Sequence, residues 1–269
     1  MNHWNYTQSN PINYTDPSGY IAEKNAKEAN EIVYDLSTYN VFISVDWGEI
    51  YVGENWDQCW HEGQWTMSDL KAIQAAVHIM DKGVRYLGGD FKKLIGFVKY
   101  EPQKGGPDGK GDPANNYLAT TTLGQTVWQI ANWDSEENRL WVAVHEMGHI
   151  VAFNDMPDKV KYFRDELGAS CSNGKNYCNT NEDHTLTYKP GSFAGDKNQN
   201  MPSSYALIGS YEDFAETWRE VVTSAYIRSG DTTYIRQAWL VYNSNYYKLN
   251  HDIGRRRKVM NSIINGSWR

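Results

Sequence analysis

Residues 145–149 read His145-Glu146-Met147-Gly148-His149, and few pentapeptides restrict the surrounding fold so tightly. Ser135 is a favourable N-cap, and Glu136 and Glu137 place acids in the first turn after it. The spacing therefore predicts a helix from there to about Phe153. Four residues on a helix rise about 6 Å and turn about 400°, so both imidazoles share one face. That arrangement suits two nitrogen ligands on one tetrahedral zinc ion. Glu146 lies beside the first imidazole, where it can serve as general base toward a metal-bound water. With seven histidines in 269 residues, chance would produce H-E-x-x-H in roughly one sequence in a hundred. A third ligand has to come from elsewhere in the chain.

Around this segment the chain divides into recognisable elements. Ile21 to about Leu36 is helical in composition, with Ala29, Ile32 and Val33 at helix spacing. Residues 41–45 and 50–52 are β-rich runs flanking Asp46-Trp47-Gly48-Glu49, which predicts a hairpin. A helix is expected next over 68–81, with Leu70, Ile73, Ala76, Val77 and Met80 on one face. Residues 94–98 read as a buried strand, and 104–116 as a Gly/Pro/Asp loop. A second strand pair is expected at 118–123 and 126–130, joined at Gly124-Gln125. Residues 170–202 are polar and mostly loop, and two helices close the chain at roughly 211–227 and 232–249. Mixed short strands with long helices after them fit an α+β fold.

The downstream helix offers candidates for the missing ligand. Glu212-Asp213-Phe214-Ala215-Glu216 sets two carboxylates at i and i+4, one to bind the metal and one to accept a hydrogen bond from a ligating imidazole. Here the chain resembles the gluzincin metallopeptidases, within them the branch of anthrax lethal factor. In that branch an E-x-F-A-E helix comes a variable loop after H-E-x-x-H. The resemblance implies a zincin-like fold: a small mixed sheet, the H-E-x-x-H helix and a helical C-terminal part. It implies zinc held by His145, His149 and Glu212, with Glu216 supporting one imidazole. It also implies that Tyr205, in Ser203-Ser204-Tyr205-Ala206, stabilises the oxyanion of the transition state.

A rival third ligand is Asp155, six residues after His149, where metzincins carry a ligand in H-E-x-x-H-x-x-G-x-x-H. The glycine of that pattern is Ala152 here, so the chain lacks the easy turn that would bring Asp155 round. Met201 precedes Pro202 in a polar stretch and reads as a loop residue rather than a Met-turn. His184 reads as a loop histidine whose alternative is to help hold substrate. His61-Glu62 lacks a second histidine, and Arg255-Arg256-Arg257-Lys258 reads as a solvated basic face. Cys171 and Cys178 are close enough in sequence for a local bridge, with Cys59 left over; three free thiols are the equal alternative.

The first twenty residues carry a resemblance of their own. Asn10-Pro11, then Tyr14-Thr15-Asp16-Pro17-Ser18-Gly19-Tyr20, is similar to the N-P-x-x-Y-x-D-P-x-G-L signature that ends the core of Rhs (YD-repeat) proteins, with Tyr20 in place of the final Leu. In that family the core is a shell, and the segment C-terminal to the signature is a variable toxin. The resemblance implies a shell remnant at 1–20 and a toxin domain at 21–269. It implies export within a larger protein and delivery into a target cell, with the parent shell as a partner; whether an immunity protein is a further partner stays open. The first residues have neither a basic nor an apolar signal region, which agrees.

Composition narrows the partners. A formal net charge of −7 argues against nucleic acid, and no apolar run approaches a membrane span. Aromatic residues make up 14% of the chain; Trp141, Phe153, Phe214 and Trp218 fall on the two helices with metal-ligand residues and are expected to pack around the site. Trp56, Trp60 and Trp65 are expected to pack or to line a substrate groove. The expected activity is zinc-dependent hydrolysis of peptide bonds in a target-cell protein. The competing expectation is a binding module in which zinc only staples two helices and the protein sequesters its target.

Overall fold

A computed structural model describes residues 23–43, 67–102, 119–122, 125–128, 136–154, 158–171, 186–188, 202–203, 205–207, 210–243 and 253–269. In chain order the elements are α1 (Glu23–Ser37), β1 (Val41–Ile43), α2 (Met67–Tyr86), α3 (Phe91–Ile95), β2 (Val98–Pro102), β3 (Ala119–Thr122) and β4 (Gln125–Trp128). They continue with α4 (Glu136–Phe153), α5 (Asp158–Leu167), β5 (Ala169–Cys171), β6 (Leu186–Tyr188), α6 (Ser210–Ser229), α7 (Ile235–Tyr242) and α8 (Gly254–Ile264). A 3-10 turn, Tyr205–Leu207, leads into α6. Helices predominate and the strands are short, an α+β arrangement as the pattern predicts.

The larger sheet has the order β1-β2-β4-β3. β1 runs parallel to β2, with Val41 opposite Val98 and Ile43 opposite Tyr100. β2 runs parallel to β4, with Lys99 opposite Gln125. β3 is antiparallel to β4, pairing Ala119 with Trp128 and Thr122 with Gln125, and so forms, among the described strands, an edge of opposite direction. The strand pair expected at 118–130 is present. The run beginning at Val41 finds its described partner in parallel β2; the hairpin's return strand, 50–52, lies outside the described residues. β5 and β6 pair antiparallel in a separate ribbon within the stretch expected to be mostly loop.

Helix α4 lies buried among the described elements. It packs against α2 on one side and α6 on another, and it also meets β3. Every residue from Leu140 to Ala152 is buried, so the helix has no solvated face over that stretch. Leu140, Val144, Met147 and Val151 join α2's Leu70, Ile73, Val77 and Met80 and α6's Phe214, Trp218 and Val222 in one core. Polar side chains inside that stretch must find partners or lose the solvation free energy they had in water.

Three expectations are corrected. Residues 94–98 do not form one strand: Asp90 accepts from the Lys93 N–H at 3.2 Å and starts α3 over Phe91–Ile95. Gly96, at φ +64°, then ends that helix, and β2 begins at Val98. The last long helix stops early, at Tyr242, with Asn243 as its C-cap. The basic run at 255–258 lies on α8 and is not wholly solvated, because Arg256 is fully buried and ion-paired with buried Asp213 of α6. Among the described residues no helix is long and apolar enough to cross a membrane.

Candidate metal centre

The α4–α6 seam closes to backbone contact at one glycine. A Cβ built on Gly148 would stand 2.6 Å from the Cα of Ala215, so any side chain there would force the helices apart. Gly148 lies between His145 and His149 along the chain, and Ala215 lies between Glu212 and Glu216. The contact therefore brings the two motif-bearing helices together at the motifs themselves.

There the side chains converge. His145 Nε2 lies 3.0 Å from His149 Nε2 and 3.0 Å from Glu212 Oε2, and His149 Nε2 lies 3.3 Å from the same oxygen. Donors held at about 2.0–2.2 Å around a tetrahedral zinc stand about 3.3 Å apart, so this triangle is close to three corners of such a site. Glu146 is buried beside it, and His145, Glu146 and His149 each offer a ligand atom within 4.8 Å of the others. This buried group can hold a metal ion.

The donor chemistry agrees with the spacing. On its other edge, His145 Nδ1 meets Glu216 Oε1 at 2.7 Å. A carboxylate can only accept, so the neutral ring carries its proton on Nδ1 and turns the Nε2 lone pair toward Glu212 and His149. Lone pairs that converge at 3.0 Å repel unless a proton or a metal cation lies among them. Three carboxylates (Glu146, Glu212, Glu216) gather at this seam beside the Arg219 guanidinium, which adds to the demand for a cation.

Burial opposes charge on His145, but hydrogen bonds with Glu212 and Glu216 outweigh it and push the imidazole up to about 10. Burial likewise opposes charge on Glu212, yet the His149 and His145 imidazoles hold its carboxyl well below the usual carboxylate range. Glu216 is fully buried, and Arg219, His145 and Ser203 together hold it low despite that burial.

Aromatic groups wall the site. Trp141 stacks on His145 with centroids 5.2 Å apart and 22° between planes. The Tyr205 ring, carried by the 3-10 turn, stands edge-on to His145 at 5.6 Å. Phe153 flanks His149 at 6.3 Å and stacks on Tyr211 at 5.4 Å. Phe214 and Trp218 are fully buried in the core behind. All the residues predicted for the site except Asp155 and His184 are thereby brought to one seam. Those two lie outside the described residues, as do Met201, Cys59 and Cys178, Trp56, Trp60, Trp65 and the N-terminal arm.

Sequence reasoning missed Arg219 and Ser203. Arg219 Nη2 lies 3.2 Å from Glu216 Oε2, and its Cζ lies 5.7 Å from the centre of the Trp141 ring. Only the i, i+3 spacing of Glu216 and Arg219 hinted at the first contact. Ser203, fully buried, precedes the turn that carries Tyr205, and its hydroxyl accepts from the Ala206 N–H at 3.2 Å. Comparison with known family models, curated proteins and solved structures finds no match for this chain.

Proposed function

We propose that the protein is a zinc-dependent endopeptidase of zincin type, with His145, His149 and Glu212 as ligands. The observation that supports this most is the triangle of Nε2, Nε2 and Oε2 atoms with edges of 3.0, 3.0 and 3.3 Å. Glu212 is preferred to Glu146 as third ligand because its oxygen already closes that triangle. Glu146 is then left for proton transfer. A structural zinc site is closed by four protein ligands, whereas three leave a position open for chemistry.

When bound, zinc supplies Lewis acidity, lowering the pKa of water and polarising a carbonyl. Glu146 accepts the proton of the water that attacks the scissile carbonyl and returns it to the leaving amine as the C–N bond breaks. Tyr205 donates to the developing oxyanion, a contribution of about 3 kcal/mol when well placed. Glu216 holds the His145 ring in its binding tautomer. The antiparallel edge strand β3, packed against α4, is suited to take an extended peptide by strand addition.

The N-terminal signature adds the biological setting: a toxin freed from an Rhs shell at about residue 20 and acting on a protein of the cell it enters. The protein should bind about one zinc per chain. Glu146→Gln should keep that metal and lose peptide hydrolysis by about 100- to 10,000-fold, assayed by metal analysis and by new peptide termini in treated proteomes. Hydrolysis at the wild-type rate in that variant ends the enzyme reading. Zinc loss in Asp155→Ala but not in Glu212→Ala would reassign the third ligand.

A further inference from the structure

The ring of His145 is held from two sides, and both restraints meet at one residue. Its face lies on the Trp141 indole and its Nδ1 edge on Glu216. Arg219, 3% exposed, sets its guanidinium against that indole at 5.7 Å and against Glu216 Oε2 at 3.2 Å. The four side chains close a loop: His145 to Glu216, to Arg219, to Trp141 and back to His145.

Arg219 is not well served in return. Its Nε has no hydrogen-bond partner among the described residues, and its contact with Glu216 is an ion pair without hydrogen-bond geometry at Oε2. An ion pair satisfied this incompletely is weak evidence of a purely stabilising role, since replacing both of its partners by apolar side chains of similar volume is often neutral. What an apolar side chain would not do is orient a carboxylate and an indole together. The planar fork does both, one through charge and one through its face.

We propose that Arg219 is a positioning residue for His145, fixing the Glu216 carboxylate on the edge of its ring and the Trp141 indole on its face. The inference rests on the metal-centre reading above. Touching neither ligand atom nor substrate, Arg219 sets the direction of one metal-binding lone pair.

The test uses the full chain loaded with zinc, and with cobalt as a spectroscopic substitute. Arg219→Gln should weaken zinc binding about 10- to 100-fold in competition with a chromophoric chelator, and should change the visible band of the cobalt form. Arg219→Lys, which keeps the charge but not the planar fork, should fall between the two. Combining Arg219→Gln with Trp141→Leu should cost less affinity than the two single losses together, because both break the same loop. Met260→Ala, a core truncation on α8, controls for lost stability and should leave affinity and band unchanged. An Arg219→Gln protein that binds zinc like the wild type with an unaltered cobalt band overturns the inference alone. So does a Met260→Ala protein that loses as much affinity. A wild type that takes up neither metal overturns the metal-centre reading and this inference with it.

Discussion

Two histidines in this protein meet a carboxylate at the same distance and in different worlds. His145 Nδ1 lies 2.7 Å from Glu216 across the α4–α6 seam, where the side chains are 4% and 0% exposed. His78 Nε2 lies 2.7 Å from Asp35 between α1 and α2, where they are 22% and 31% exposed. Each pair has further neighbours: Gln74 also bonds Asp35 at 2.7 Å, and Tyr39 and Tyr234 flank the His78 ring. The distance is the same, and burial and convergence differ. At His78 the groups around the ring satisfy one another in water's presence. At His145 the second nitrogen faces another imidazole and a second carboxylate, in a place with little access to solvent. An imidazole–carboxylate contact is common; what lets this group hold a metal ion is that several donors converge in one largely buried place.

The sharpest way to break the contrast is to remove each histidine. His145→Ala should weaken zinc binding by more than about 100-fold, as dialysis against chelator would show, since it deletes a proposed ligand rather than the support of one. His78→Ala should leave zinc content unchanged; equal losses would erase the distinction. Gly148→Ala should act next most strongly. Its methyl must push α6 away from α4, costing about 1–3 kcal/mol in denaturant unfolding and opening the donor triangle at the same time.

The pH dependence of stability should separate the metal-free from the loaded protein. In the metal-free fold His145 is pushed up to about 10 from an ordinary 6.5, so its protonated form stabilises fully below about pH 6.5. That contribution fades as pH rises through about 10. Glu212 and Glu216, held below the ordinary carboxyl value of 4.5, stabilise above about pH 4.5 and lose this as pH falls further. Metal-free protein should therefore melt highest between about pH 4.5 and 6.5, with Tm declining toward pH 10. Zinc-loaded protein, whose His145 carries no extra proton to lose, should lack the alkaline decline. The smallest effect belongs to the other pair: Asp35→Asn should change stability by no more than about 1 kcal/mol and leave zinc affinity alone.

Much of this site was legible because it is written in helical periods. His145 with His149 and Glu212 with Glu216 repeat at four residues, and a four-residue repeat on a helix already places two side chains together. The β3–β4 pair was equally legible, its two strands being adjacent in sequence. The apolar run 94–98 was misread because such a run serves the end of a helix and the start of a strand alike; the cap at Asp90 and the turn at Gly96 decide it. The basic run at 255–258 concealed Arg256, since burial against Asp213 depends on α8 docking 43 residues away. Arg219 was hidden for a similar reason: its i, i+3 partner is local, but the indole it covers is on another helix.

By itself, then, the sequence determined which side chains share a helix face, because a fixed rise and turn convert spacing into direction. It also determined the chemistry on offer: two imidazoles and three carboxylates on helices able to carry them. Whether those helices meet, in what register and out of water, was decided only in three dimensions. There Gly148 lets Ala215 approach, and α2, α6 and β3 pack against α4, which is buried from Leu140 to Ala152. Helix periodicity is a property of one backbone, but a dry cluster of lone pairs is a property of two, and it exists only where packing brings them within about 3 Å.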